Sequence, residues 1–122
     1  MSKPQGLVIE DNEDLATIFS AALEASGCET HIINDGQDAL DYLGRARPQI
    51  IILDLHLPRV SGEIILRRIR ADPAFAETRI VIATADPQMA DMLHDESDLI
   101  LLKPVSFTQL RDLSARLARS TV

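Results

Sequence analysis

Short unbroken apolar runs alternate along this chain with longer stretches in which apolar residues recur every three or four positions. The sharpest run is Ile50-Ile51-Ile52-Leu53, four large aliphatic side chains followed at once by Asp54. A run that short suits a strand buried on both faces, at the centre of a parallel sheet. A carboxylate is expensive in such an interior, so Asp54 is expected where the strand leaves the core. From these residues alone it is a loop carboxylate, a helix cap or a ligand-binding group at the carboxyl edge of an open sheet.

The flanking segments follow the same alternation. Leu7-Val8-Ile9 predicts a first strand, and Asn12 with Glu13 and Asp14 predicts the capped, acidic start of a helix. Leu15, Ile18, Phe19, Ala22 and Leu23 mark its inner face, and Gly27 its stop. Residues 28–33 alternate and predict a second strand nearer the sheet edge. Asn34-Asp35-Gly36 is turn chemistry, and a second helix runs to about Gly44 with Leu40 and Leu43 inward. Pro58 and Gly62 punctuate the loop after Asp54. Ile65, Leu66 and Ile69 give a third helix, ended by Asp72-Pro73. Residues 80–84 form a fourth apolar run, closed by Thr84. Asp86-Pro87 then opens a short helix with Met89, Met92 and Leu93 inward. Residues 99–102 predict a fifth strand, closed by Lys103-Pro104. Ser106 with Gln109 forms a capping box, and Val105 with Leu110 a hydrophobic staple. Phe107, Leu110, Leu113 and Leu117 mark the inner side of the last helix. Five strands alternating with five helices predict one α/β doubly wound domain over residues 1–122, with right-handed crossovers.

Composition narrows the class. Hydrophobic residues make up 46% of the 122 and aromatics only 3%, so the core is aliphatic. A net charge of −7 opposes direct binding to nucleic acid or to an anionic membrane. No apolar run approaches the roughly 20 residues of a membrane helix, and the first six residues lack a signal-peptide core. The one cysteine, Cys28, can form neither an internal disulfide nor a metal cluster and reads as a small buried hydrophobe. A cytoplasmic protein is expected. The closing Ser120-Thr121-Val122 reads as a tail or as the cut end of a longer chain.

Four strand exits carry groups that can share one piece of chemistry: Glu10-Asp11, Asp54, Thr84 and Lys103. In a parallel sheet these exits share one edge and converge where the strands are neighbours. Three carboxylates brought together repel one another, and a hard divalent cation with oxygen ligands relieves them. Mg2+ is the expected ion, because few protein ligands are on offer and Mg2+ keeps several waters. An Asp in such a site can act as a nucleophile toward phosphorus. Lys103 would supply a mobile positive charge for a phosphoryl oxygen, and Thr84 a hydroxyl donor. Singly, each has a plainer role as a turn residue, a solvated lysine or a partner of a helix dipole. Jointly they are harder to explain that way.

The acidic pair Glu10-Asp11, Asp54 with Pro58 and Gly62 four and eight positions later, Thr84-Ala85 and Lys103-Pro104 resemble the receiver domain of bacterial two-component response regulators. The resemblance covers essentially the whole chain. It implies a flavodoxin-like sheet of order 2-1-3-4-5. It implies Asp54 as phosphoacceptor from a sensor histidine kinase or a histidine phosphotransfer protein, and a downstream protein target that the residues do not name. Asp11, Asp54 and the backbone carbonyl of His56 would bind Mg2+, with Glu10 reaching it through water. Lys103 would pair with the phosphoryl group beside a cis Lys103-Pro104 bond, and Thr84 would move toward the phosphoryl oxygen. His56 and Asp86 would flank the attacking water and tune dephosphorylation, and they are expected to pair. On this reading the protein is a signalling switch that assists its own phosphorylation and is not an enzyme acting on other substrates.

Three positions depart from the family pattern. Glu10 stands where Asp is commoner, Ile100 stands where many receivers have Tyr or Phe, and the segment between Thr84 and Lys103 is short. Three rivals remain beside the receiver reading. A flavodoxin-like mononucleotide binder would want a Ser-, Thr- and Gly-rich loop after the first strand, where this chain has acids. A haloacid-dehalogenase-type phosphatase would want a carboxylate at the position of His56. The third is a receiver-like adaptor that works without phosphate, through protein contact alone.

Overall fold

The computed structural model describes residues 3–120, with side-chain surroundings through residue 117. The expectations placed on Met1-Ser2 and on the closing Thr121-Val122 lie outside the described residues. The strands are β1 (Gln5–Ile9), β2 (Glu29–Ile33), β3 (Ile50–Leu53), β4 (Arg79–Thr84) and β5 (Leu99–Leu102). The helices are α1 (Glu13–Ala25), α2 (Gly36–Leu43), α3 (Gly62–Arg70), α4 (Pro87–Leu93) and α5 (Phe107–Ser120). The sheet is five-stranded in the order β2-β1-β3-β4-β5, and all four pairings are parallel. It is the flavodoxin-like architecture expected.

The register explains why the central strands read as unbroken apolar runs. Val8 lies beside Ile52, and Ile52 beside Val81, so these even-and-odd positions share one face of the sheet. Together with Ala16, Phe19, Leu23 and Leu110 they form the core beneath α1 and α5. Leu7, Ile9, Ile51, Leu53, Ile80 and Ile82 point the other way and pack with Ile65, Leu66, Ile69 and Leu93 from α3 and α4. Both faces are covered, so polar residues have no place to alternate.

The helix starts agree with their caps. Asn12, Asp35, Ser61, Asp86 and Ser106 each accept backbone amide hydrogens from the first turn that follows them. Gly27 ends α1 with a φ of 108°. The Lys103-Pro104 bond is cis. No helix among the described residues is long and apolar enough to cross a membrane.

The inward faces need three corrections, at Ile18, Met92 and Phe107. Ile18 is exposed on α1, while Ala16 and Ser20 are buried. The buried residues are 16, 19, 20, 22 and 23, so Phe19, Ala22 and Leu23 face inward as expected, Leu15 does so only partly, and Ala16 and Ser20 complete the stripe. Ser20 tolerates burial because its hydroxyl shares a hydrogen bond with Thr30 Oγ1. Met92 is exposed, leaving Ala90 and Leu93 as the buried residues of α4 and Met89 as partly covered. Phe107 is half out of the core, with the Arg111 guanidinium 6.0 Å from its ring centroid. Among the described side chains of α5, Leu110 and Ser114 are buried.

Two single 3-10 turns also appear, at Pro73–Phe75 and His94–Glu96. The second lies in the link between α4 and β5.

Candidate functional site

The four strand exits meet at the carboxyl edge of the sheet. β1 delivers Glu10, whose residue surface is 1% exposed, and Asp11, which faces solvent. β3 delivers Asp54, buried, with its amide donating to Ile9 O at 2.9 Å. Ligand atoms of Glu10, Asp11 and Asp54 all lie within 4.8 Å of one another. Gly62 lets the chain pass close over this edge, since a Cβ there would sit 2.1 Å from the Asp54 carbonyl oxygen.

Lys103 enters from the end of β5. Its Nζ donates to Glu10 Oε1 at 2.7 Å and stands 3.6 Å from Asp54 Oδ1. The expected cation is thus present, but its hydrogen-bond partner is the buried glutamate and not the aspartate. Burial pushes the Glu10 carboxyl above its usual range, and Asp54 adds to this, while the Lys103 hydrogen bond pulls it back. One ammonium faces three carboxylates, so the cluster retains uncompensated negative charge.

Thr84 is fully buried at the end of β4, and its hydroxyl accepts the Asp86 amide at 3.1 Å. His56 and Asp86 face each other across the rim, His56 Nε2 lying 3.9 Å from Asp86 Oδ2. Asp86 also caps α4: Oδ1 takes the amides of Gln88 and Met89, and Oδ2 turns to the histidine. His56 is exposed, and its amide hydrogen points at Asp54 Oδ1 at 3.4 Å.

A hollow of about 410 Å³ opens beside the cluster, lined by Glu10, Asp11, Glu13, Asp14 and Asn34 among others. A larger one of about 500 Å³, between β2 and α2, holds no comparable group of acids. The donor set is all oxygen, anionic and open to solvent on the Asp11 side. It fits a hard divalent cation that keeps part of its water. It suits neither a thiolate-seeking metal nor a nucleotide phosphate, which the acids would repel.

Two arrangements had no signal in the sequence. Arg59 reaches back to Asp35 and Asp38, and Glu10 takes Lys103. Both depend on where long side chains end, which periodicity does not report.

The family model for the response regulator receiver domain matches residues 7–115. Over 116 residues the chain is 33% identical to the protein named "Probable methanogenesis regulatory protein FilR2" of Methanothrix harundinacea, covering 86% of this chain and 75% of that one. Over 118 residues it is also 33% identical to the DNA-binding response regulator MtrA of Mycobacterium tuberculosis, covering 93% of this chain and 50% of MtrA. The receiver domain of the Francisella response regulator 1452 superposes with a TM-score of 0.85 at 25% identity, covering 98% of this chain and 99% of that one. The chain belongs to the response regulator receiver domain family. It spans about half the length of MtrA.

Proposed function

We propose that Asp54 accepts a phosphoryl group from a phosphohistidine on a sensor kinase or histidine phosphotransfer protein, and that the domain signals by this modification. The observation that supports it is the cluster of Glu10, Asp11 and Asp54 around a single ammonium at the carboxyl edge. A carboxylate oxygen of Asp54 attacks phosphorus, the bond from phosphorus to the histidine nitrogen breaks, and the imidazole leaves with a proton. Asp11, Asp54 and the His56 carbonyl would hold Mg2+, with Glu10 reaching it through water. Bound there, Mg2+ would offset the charge of the acids and of the incoming phosphoryl oxygens.

Lys103 must then exchange partners. Its ammonium, 2.7 Å from Glu10, turns to a phosphoryl oxygen. Thr84 donates its hydroxyl to another and releases the Asp86 amide, so that the start of α4 feels the change. The domain acts as an acceptor and switch and turns over no other substrate. Its partners are proteins, a phosphodonor on one side and a downstream target on the other, and it works in the cytoplasm. The whole of residues 1–122 serves as this one unit.

The test is phosphorylation by a small donor such as acetyl phosphate. Wild type should take one phosphoryl group only when Mg2+ is present, and Asp54→Asn should take none. Equal incorporation by the two would overturn the reading. Water that attacks phosphorus and breaks its bond to Asp54 would approach past the rim that His56 and Asp86 form. His56→Ala and Asp86→Ala should each change the dephosphorylation rate severalfold, and two unchanged rates would remove these residues from the site.

A further inference from the structure

The loop after Asp54 is tied down by a side chain that takes no part in the acid cluster. Arg59 has a φ of 67°, in the left-handed region that disfavours a side chain. Its guanidinium spans two carboxylates of α2: Nε donates to Asp35 Oδ2 at 2.7 Å, and Nη2 donates to Asp38 Oδ1 at 2.9 Å. Asp35 divides its oxygens, since Oδ1 caps α2 through the amides of Gln37 and Asp38 while Oδ2 serves Arg59. The backbone runs along the same seam. The Gly36 amide donates to Pro58 O at 3.0 Å, and a Cβ on Gly36 would sit 1.8 Å from Val60 O. The loop that carries His56 is therefore seated on the first turn of α2, with the guanidinium closing the join.

We propose that Arg59 is a positioning residue: by strapping this loop to Asp35 and Asp38 it fixes the His56 backbone carbonyl for the divalent cation that Asp11 and Asp54 would hold. The inference rests on the functional reading above and extends it to residues outside the acid cluster. Glycine would adopt this backbone conformation without strain but would offer no fork. Lysine would offer charge but only a point donor, unable to hold two carboxylates in a fixed plane. The guanidinium is about half exposed, so screening limits what the ion pairs add to stability, and its role here is geometric.

Two variants separate positioning from folding. Arg59→Gly removes the fork while freeing the backbone, and Asp35→Asn keeps a capping oxygen while removing the charge. Mg2+ alone is titrated into each protein and followed by the amide resonances of residues 54–60. Arg59→Gly should bind Mg2+ about tenfold more weakly, the low end of what losing an outer partner of a metal ligand costs. Asp35→Asn should follow in the same direction, and Arg59→Lys should not restore the affinity. With acetyl phosphate, half-saturating Mg2+ should rise by the same factor, while the rate at saturating Mg2+ stays at the wild-type value. Wild-type Mg2+ affinity in Arg59→Gly overturns the proposal, as does a rate lowered equally at every Mg2+ concentration. A wild type that binds Mg2+ but takes no phosphoryl group overturns the phosphoacceptor reading instead, and the titration still decides Arg59.

Discussion

The two edges of the sheet handle charge in opposite ways. At the amino edge, where the strands begin, Asp98 sits between two arginines: Arg70 Nη2 donates to Oδ2 at 2.9 Å and Arg79 Nη1 to Oδ1 at 3.2 Å. Asp98 Oδ2 also accepts the Ile80 amide at 2.7 Å. Arg70 spends its other donors on Glu96 O and Thr78 O, which pins the 3-10 turn before β5 to the start of β4. Cations and acceptors are matched there. At the carboxyl edge one lysine reaches two of three clustered acids, Glu10 and Asp54. The first arrangement is complete as it stands and belongs to stability. The second has room for more positive charge, which is what a cation-dependent phosphoacceptor needs.

The contrast predicts different responses to Mg2+. Lys103→Ala leaves Glu10 and Asp54 buried without their cation and should destabilise the metal-free domain by about 3 kcal/mol. Urea unfolding with and without Mg2+ checks this: the ion should recover most of the loss. Arg70→Ala should cost about 2 kcal/mol, from two backbone carbonyls and Asp98 losing a charged donor. Mg2+ should recover none of it. A similar recovery in both variants would erase the distinction between the edges.

The smallest effect concerns pH. The Arg59 hydrogen bond holds the Asp35 carboxyl below its usual range, helped by the amides that Asp35 caps. A folded-state value below the unfolded one, about 3.9, gives stabilisation that is complete above that value. It is lost as the pH falls through the lower, folded-state value. Acid unfolding curves of Asp35→Asn should therefore be flatter than wild type in that window, and parallel curves would show the pair to be idle.

Much of this molecule was legible because the controlling forces are local or periodic. Ile50 to Leu53 suited a doubly covered strand, and three of the caps, Asn12, Asp86 and Ser106, were legible one position before their helices. Asp35 reads only as turn chemistry, and Ser61 carried no expectation. Asp54 and Thr84 were recognisable as polar groups directly after buried runs, and Lys103 as the residue that closes the last apolar run, although β5 itself is only partly buried. The inner face of α1 was legible only in part. Phe19, Ala22 and Leu23 face inward as expected, whereas Ile18 is exposed and Ala16 and Ser20 are buried. The pairing of α1 with α5 is recorded in the periodicity of neither helix. Phe107, expected inward, is partly exposed, and Ser114, which carried no expectation, is buried. Arg59, Arg70 and the Glu10–Lys103 contact join segments far apart in the chain, through side-chain ends that no pattern records. Glu10 shows this most clearly. Its longer arm reads in the sequence as a modest change of metal ligand, and in the fold it takes the lysine.

The central claim is that the acids and the ammonium at the carboxyl edge make Asp54 a phosphoryl acceptor. Trapping is its most direct test: protein treated with Mg2+ and acetyl phosphate is reduced with borohydride and sequenced by mass spectrometry. An acyl phosphate at Asp54 is predicted to appear as homoserine at position 54 alone. Homoserine at another carboxylate, or none in a protein that binds Mg2+, would contradict it.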